Sequence, residues 1–344
     1  MKAHSKFASR LLLGTLAVAM VTACSPESPK LKGFQSAEKV TTNEAANFNP
    51  RVDILFVVDN SGSMGTLQDN LSANIPKFVA EIQKSPILDY HIGVVTATID
   101  ETYSCGKACD GKLYSKRGQD MFVTKKTPDA LEQLADNLLV GTDGGGQEKF
   151  FAPVMAALSP PLSTGINADF YRPDGTLVVI FLTDADDQTN GVDADDYLKF
   201  VWGLKQGDTK KVLTYGVAIP LGYNPTGTCS RSGEPDPVKI TEAVKKSGGL
   251  MFNVCDPDFG SQVGQLATDV AQKVSKTLYL NRAPDVKSIV VTYGSQVIAN
   301  DRLKGWTYVP AKNALEFGDE LVLTEQPEGT TLTVNFNAAR YEVK

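Results

Sequence analysis

Short apolar runs alternate with amphipathic segments over residues 50–282. Runs that lack polar residues predict strands buried on both faces, and apolar residues at every third or fourth position predict helices. The predicted strands are 54–58, 91–97, 177–182, 212–219 and 251–254. The predicted helices are 67–82, 128–139, 147–158, 193–204, 237–246 and 263–278. This alternation predicts an α/β fold, a doubly wound Rossmann-like domain with a mainly parallel sheet.

The rhythm changes at residue 283, where short runs of alternating apolar and polar residues begin. They predict strands at 288–293, 297–299, 306–309, 314–317 and 332–336. In the last of these, every second residue is apolar, so one face of the strand is buried. We therefore predict a small all-β C-terminal domain over 283–344. Because so short a segment buries little surface, it should pack on its neighbour.

The first predicted strand ends in three small oxygen-bearing side chains at alternate positions, Asp59, Ser61 and Ser63. Hard oxygen ligands in a turn at the carboxyl end of a buried parallel strand suit a small divalent cation. Mg²⁺ or Mn²⁺ fits such a set best, and Ca²⁺ fits it less well. The alternative is a plain turn whose side chains cap the next helix.

This Asp-x-Ser-x-Ser turn resembles the metal-ion-dependent adhesion site (MIDAS) of von Willebrand factor type A (VWA) domains. The resemblance covers most of the α/β segment and implies two further metal ligands from later loops, a Thr and an Asp. Asp184 closes the apolar run 177–182 and matches the Asp. Thr142, in Gly-Thr-Asp-Gly-Gly-Gly, fits the Thr best. The three glycines depart from the usual spacing and leave Asp143 and Glu148 as alternatives.

The N-terminus predicts a secreted, lipid-anchored protein. Residues 1–23 join basic residues to an apolar stretch too short to span a membrane comfortably, which is typical of a signal peptide. Cys24 ends a tetrapeptide that resembles the lipobox of bacterial lipoproteins, which implies that Cys24 is acylated; ordinary cleavage with a spare Cys is the alternative. Ser25 favours the outer membrane. Residues 24–49 predict a lipidated, disordered tether. We expect a cell-envelope location, on the periplasmic face or the cell surface.

Charge and cysteine content narrow the class of protein further. Removal of the signal takes away three basic residues and lowers the formal net charge from −6 to −9. So acidic a chain argues against nucleic acid as a partner. Four cysteines remain in an oxidising compartment, which predicts two disulfides, and we prefer the pairs Cys105–Cys109 and Cys229–Cys255 among the three possible pairings. A zinc site is the alternative, but it lacks a second closely spaced ligand pair.

The sequence offers little catalytic chemistry. A serine hydrolase needs a His base, but His4 lies in the predicted signal and His91 in a predicted strand. No Gly-Lys-Ser/Thr follows the glycines 144–146, which argues against a P-loop. The acids in 184–187 do not complete an EF-hand, because Tyr197 takes the place of the final Glu, and they predict a solvated acidic face beside the site. We therefore expect that the protein is not an enzyme.

The favoured function is that of a cell-envelope lipoprotein whose VWA domain binds a protein ligand through a divalent metal. An exposed Asp or Glu of the partner would complete the coordination of the ion. The alternative is a structural or assembly protein of the envelope in which the metal only rigidifies loops. A hydrolase that activates water at the metal is a third possibility, but no general base accompanies the site.

Overall fold

The computed structural model describes residues 43–48, 50–85, 87–99, 109–116, 120–223, 235–256, 258–324, 326–327 and 330–339. The predicted signal and Cys24 lie outside these ranges, as do Cys105 and Cys229. Strands and helices follow one another in the order β1 (Asn43–Phe48), β2 (Arg51–Val58), α1 (Gly65–Gln83), β3 (Asp89–Thr96), β4 (Phe122–Thr124), α2 (Ala130–Leu138), α3 (Phe151–Ala157), β5 (Thr176–Thr183), α4 (Ala194–Leu204), β6 (Val212–Ala218), α5 (Val238–Ser247), β7 (Met251–Asn253), α6 (Phe259–Ser275), β8 (Thr277–Tyr279), β9 (Val290–Tyr293), β10 (Gln296–Ile298), β11 (Trp306–Val309), β12 (Ala314–Phe317) and β13 (Leu332–Asn337).

The α/β part is built on a six-stranded sheet in the order β4-β3-β2-β5-β6-β7. Neighbouring strands are parallel except at one edge, where β4 runs antiparallel to β3. The mainly parallel α/β fold predicted from the sequence is therefore confirmed. β4 lies in a segment for which the sequence predicts only a loop, since three residues are too few to show a clear alternation.

Helices cover both faces of this sheet, so that successive residues of the central strand β2 enter different cores. Ile54, Phe56 and Val58 pack with α1, α2 and α6 on one face. Leu55 and Val57 pack with α3, α4 and α5 on the other. All five side chains are fully buried, which explains why the sequence is apolar without interruption here. Among the described residues, no helix is long and apolar enough to cross a membrane.

Two antiparallel sheets, β1-β13-β9-β10 and β11-β12-β8, form the β part around an apolar core of their own. β1 pairs with β13 over its whole length, although it lies within the range 24–49 for which the composition predicts a disordered tether. Its sequence, Asn-Glu-Ala-Ala-Asn-Phe, has few apolar residues, and the edge of β13 supplies the hydrogen bonds that order it. The β part thus begins before residue 50.

The chain returns to the β part earlier than expected. The sequence predicts a helix up to residue 278, whereas α6 ends at Ser275 and β8 follows at once. Leu278 continues the apolar spacing of the helix but pairs with Leu315 of β12 and is buried in the β core. Apolar spacing therefore does not distinguish the last turn of a helix from a short strand at this point.

Two of the four cysteines predicted to form disulfides are described. Cys109 and Cys255 are both disulfide-bonded. Their preferred partners, Cys105 and Cys229, lie outside the described residues. The pairings Cys105–Cys109 and Cys229–Cys255 therefore stay predictions.

Candidate metal centre

The candidate site lies at the carboxyl ends of β2 and β5, which are neighbours in the sheet. The chain passes from β2 to β3 on one side and later reaches β5 on the other, so that the connections diverge at this point. Such a divergence opens a crevice in α/β sheets and is where their ligands bind. Asp59 follows β2 directly and Asp184 follows β5 directly, and both are buried, at 0% and 1% exposure.

Three carboxylates meet in this crevice. One carboxylate oxygen from each of Asp59, Glu148 and Asp184 lies within 4.8 Å of those of the other two, and Glu148 is only 4% exposed. Buried like charges at this separation repel one another, and a cation among them offsets the repulsion. All the donors are hard oxygens, which fits Mg²⁺, Mn²⁺ or Ca²⁺. Of the two alternatives to Thr142 in the sequence, Glu148 is thus part of the cluster, whereas Asp143 is exposed and lies outside it.

Asp59 is held in place through both of its carboxylate oxygens. The backbone N–H of Ser61 donates to Oδ1 at 2.8 Å, and the hydroxyl of Thr183 donates to Oδ2 at 3.0 Å. Burial raises the pKa of Asp59 to about 6; the Ser61 N–H opposes this rise and the nearby charge of Asp184 adds to it. The folded protein therefore holds a carboxylate that is costly to ionise unless a cation accompanies it.

The two serines of the turn present their hydroxyls together. The Oγ atoms of Ser61 and Ser63 lie 3.1 Å apart, with Ser61 buried and Ser63 exposed. Helix α1 begins at Gly65 after Met64, and no side chain caps it. The alternative that these serines merely cap the helix therefore finds no support, and their hydroxyls are available as neutral ligands between the buried acids and the solvent.

Gln68 of α1 joins the two loops of the site. Its side-chain Nε2 donates to the backbone oxygens of Asp59 at 2.8 Å and Gly141 at 2.9 Å, and the N–H of Gly141 donates to its Oε1 at 3.2 Å. Thr142, the residue after this clamp, is exposed at the rim. Sequence reasoning missed Gln68, because a polar residue inside an amphipathic helix is usually solvated. The available signal was its position three residues before Leu71, on the buried face.

Gly144, the first of the three glycines after Asp143, has a structural reason. The N–H of Gly144 donates to the backbone oxygen of Asn60 at 2.8 Å. A Cβ on Gly144 would lie 2.5 Å from Cγ of Asn60, so that no side chain fits here without a shift. The methyl group of Thr142 lies 3.6 Å from where a Cβ of Gly65 would be. The Thr142 loop therefore packs against the segment that carries Ser61 and Ser63.

Glu148 reaches the cluster from a loop instead of a helix. The sequence predicts a helix from residue 147, but α3 begins at Phe151. The N–H of Gln188 donates to the backbone oxygen of Glu148 at 2.8 Å, and the N–H of Lys149 donates to that of Ala97 at 3.1 Å. Both bonds are made by the peptide unit between Glu148 and Lys149, and they tie it to two other loops in place of helical hydrogen bonds.

The acids after Asp184 do not form the solvated face that the sequence predicts. Asp186 and Asp187 are buried, at 9% and 3% exposure. Asp186 accepts hydrogen bonds from the N–H groups of Lys239 and Ile240 at the start of α5. Asp187 accepts from Phe150 and Phe151 at the start of α3, at 2.8 and 3.0 Å. The free N–H groups of helix N-termini need acceptors, which is why these acids point inward.

Comparison with known proteins gives structural likenesses only. No protein-family model matches the chain, and no curated protein matches it. Similar solved structures include the pilus adhesin SpaC from Lactobacillus rhamnosus GG in an open conformation, at 12% identity and TM-score 0.41 over 85% of this chain. Proximal thread matrix protein 1 from the mussel byssus, with a zinc-occupied MIDAS motif, is 12% identical over 67% of this chain and 48% of its own, at TM-score 0.38. BatB from Bacteroides thetaiotaomicron, a conserved hypothetical protein, is 13% identical over 65% of this chain and 98% of its own, at TM-score 0.36.

These likenesses are too low to carry any property of those proteins to this chain, which spans only 39% of the SpaC chain. The fold and the site rest on the features of this molecule itself. They are a mainly parallel sheet covered by helices on both faces and an oxygen-rich acidic crevice where the connections of β2 diverge. The α/β part therefore has the doubly wound, mainly parallel fold that the sequence predicts, with a candidate site for a divalent cation.

Proposed function

We propose that this protein is a non-enzymatic binding protein whose VWA-like domain holds a divalent cation, Mg²⁺ or Mn²⁺, and binds a protein ligand through it. The observation that carries the proposal is the burial of Asp59 and Asp184 directly beneath a rim where Ser63 and Thr142 are exposed. Buried anionic groups hold the ion, and an open rim leaves one side of it accessible to a partner.

The residues divide into two roles in this proposal. Asp59 and Asp184 supply negative charge from below, while Ser61, Ser63 and Thr142 offer neutral hydroxyls from the turn and the neighbouring loop. A neutral hydroxyl leaves the positive charge of the ion uncompensated on that side. An Asp or Glu side chain of the partner, which approaches from the solvent, is therefore the proposed ligand of the ion.

We propose further that the protein is anchored in the cell envelope through Cys24, at the outer membrane. Support for this comes from the sequence alone, since Cys24 lies outside the described residues. Several acyl chains on one residue give stable anchoring, whereas a single chain would be marginal.

The proposal of a non-enzymatic role is supported by the surroundings of His91, the only His of the described residues. Its Nδ1 lies 2.9 Å from the backbone oxygen of Phe170, away from the crevice.

The test is capture of a partner from envelope extract by the full-length protein, with and without a chelator. The double variant Ser61→Ala with Ser63→Ala serves as the site control, because these side chains are not part of the apolar core. We expect chelation and the double variant to abolish capture of the same protein. Substitution of the partner's acidic residue by Gln or Asn should then weaken binding as much as chelation does.

The competing structural role predicts a different result. If the metal only rigidifies loops, chelation lowers the melting temperature of the protein but leaves capture of the partner intact. Capture that survives both the chelator and substitution of the partner's acid would overturn the proposed binding mechanism and favour the structural role.

A further inference from the structure

We infer that Glu148 is a third carboxylate ligand of the cation, beside Asp59 and Asp184, so that the site is built to hold its ion without a partner. This inference rests on the proposed function, since it names a further ligand of the same site. It departs from the resemblance to VWA domains, in which a Thr and an Asp complete the turn.

The separation of the three carboxylates suits a single ion. Ligand oxygens lie about 2.0–2.6 Å from Mg²⁺ or Ca²⁺, so two oxygens on the same ion are at most about 4–5 Å apart. One oxygen each of Asp59, Glu148 and Asp184 falls within the upper part of this range, because all three lie within 4.8 Å of one another. Glu148 therefore needs no rearrangement of the backbone to reach an ion held by the two aspartates.

The side chain of Glu148 is buried in the crevice. The residue is 4% exposed, and its Oε2 lies 3.5 Å from the side-chain Nε2 of Gln188. A buried carboxylate in this position is stabilised when a cation enters the cluster.

The loop that carries Glu148 is fixed by hydrogen bonds within the protein. The backbone oxygen of Glu148 accepts a hydrogen bond from the N–H of Gln188, and the N–H of Lys149 donates to the backbone oxygen of Ala97. Two residues after Glu148, at the start of α3, the N–H of Phe150 donates to the side chain of Asp187. Ligands that are already in place lose little freedom on binding, which favours a tight site. Asp187 and Gln188 act here as positioning residues.

A third carboxylate changes what an acidic partner must do. A third carboxylate ligand lowers the positive charge that the ion presents at the open rim. A partner's Asp or Glu is therefore attracted less strongly than it would be by an ion held by the two aspartates alone. Glu148 thus sets a threshold that a weak acidic ligand does not pass.

The decisive experiment compares metal affinity by titration calorimetry with MnCl₂ in the full-length protein and three variants. Glu148→Gln removes the charge at nearly constant size, Glu148→Asp keeps the charge but shortens the reach, and Asp143→Asn removes an exposed charge from the same loop. We expect Glu148→Gln to weaken Mn²⁺ binding more than about 10-fold, since even outer-shell partners contribute about 10–100-fold to metal affinity. Asp143→Asn should change it less than about threefold, because exposed charges are screened.

Glu148→Asp separates direct ligation from a general effect of charge. If Glu148 binds the ion directly, the shorter side chain of Glu148→Asp no longer reaches the ion and the Mn²⁺ affinity falls. If only the charge at this position matters, Glu148→Asp keeps it and the Mn²⁺ affinity stays as in the wild type. Melting with and without MnCl₂ provides a second measurement, in which Glu148→Gln should reduce the rise in melting temperature that Mn²⁺ causes.

Each outcome bears on the inference. Wild-type affinity in both Glu148 variants would overturn it while leaving the proposed function intact. A wild-type protein that binds no divalent cation would overturn both. If Glu148→Gln and Asp143→Asn weaken binding equally, the effect is electrostatic and Glu148 is not a ligand.

Discussion

Asp59→Asn should make the metal-free protein more stable at neutral pH, although it removes a residue at the centre of the site. The carboxylate is fully buried, and burial raises its pKa from the ordinary 3.8 to about 6. At pH 7 the folded protein therefore carries an ionised group that would be better solvated in the unfolded chain. Asparagine has nearly the same shape and carries no charge, so it avoids this cost.

The size of the effect follows from the pKa. One pKa unit corresponds to about 1.36 kcal/mol, so a rise from 3.8 to about 6 destabilises the folded state by about 3 kcal/mol at pH 7. The asparagine amide keeps an acceptor for the N–H of Ser61 but no longer accepts from the hydroxyl of Thr183, a loss of about 1 kcal/mol. The expected net gain in the free energy of unfolding is about 2 kcal/mol, or roughly 5 °C in melting temperature.

The sign of the effect must reverse with pH. A raised pKa means that the folded state binds the proton more tightly than the unfolded state, so the cost of Asp59 vanishes as pH falls from about 6 to below 3.8. At pH 4 wild type and Asp59→Asn should therefore be nearly equal, or the variant slightly less stable. Added Mg²⁺ should stabilise only the wild type, by about 2.7 kcal/mol at a free concentration of 100 times the dissociation constant.

The assay is thermal or urea unfolding in a chelator at pH 7 and pH 4, repeated with Mg²⁺ at pH 7. Asp143→Asn is the matched control, since it removes an exposed charge from a loop of the same site and should leave stability unchanged within about 0.5 kcal/mol. An Asp59→Asn protein that is less stable than the wild type at pH 7 without metal would refute the reasoning. Stabilisation of that variant by Mg²⁺ would refute the assignment of Asp59 to the site.

Three further predictions concern the rim, the loop and the anchor. Ser61→Ala with Ser63→Ala should leave the circular dichroism spectrum unchanged and abolish Mg²⁺ binding in calorimetry; unaltered affinity would argue against the serines as ligands. Gly144→Ala should lower the free energy of unfolding by about 1–3 kcal/mol, because its Cβ would lie 2.5 Å from an Asn side chain of the turn. Gly146→Ala, whose Cβ meets nothing within 4 Å, should be neutral in the same urea titration. Cys24→Ala should convert a membrane-bound protein to a soluble or uncleaved one in detergent fractionation, unless another segment anchors the chain.

The acids at the ends of the two central strands could be predicted from the sequence because local pattern and chemistry agree there. A continuous apolar run means a strand buried on both faces, and parallel strands bring their carboxyl ends to one edge of the sheet. Asp59 and Asp184 each follow such a run, and the structure brings their carboxylates together. The apolar runs predicted the two strands, and the resemblance to VWA domains predicted that their aspartates belong to one site.

The supporting residues of the site could not be predicted in the same way. Gln68 clamps Asp59 to Gly141 from inside a helix, and a helical pattern does not reveal which polar residue bonds a distant loop. Asp186 and Asp187 lie in an acidic run that composition assigns to the surface, yet they cap helices that begin far away in the chain. Each of these roles depends on which loop passes nearby, which is a property of the tertiary structure.

The sequence by itself determined the α/β class and the β-rich end of the chain, because periodicity is a local property, and its resemblance to VWA domains predicted the pair of aspartates at the crevice. Only the tertiary structure decided that Glu148 belongs with those aspartates and that Asn43–Phe48 joins the β part. The first depends on the path of a loop held by Gln188, and the second on the open edge of β13. Contacts between segments distant in the chain are formed by packing and hydrogen bonding, and a pattern read along the chain carries no record of them.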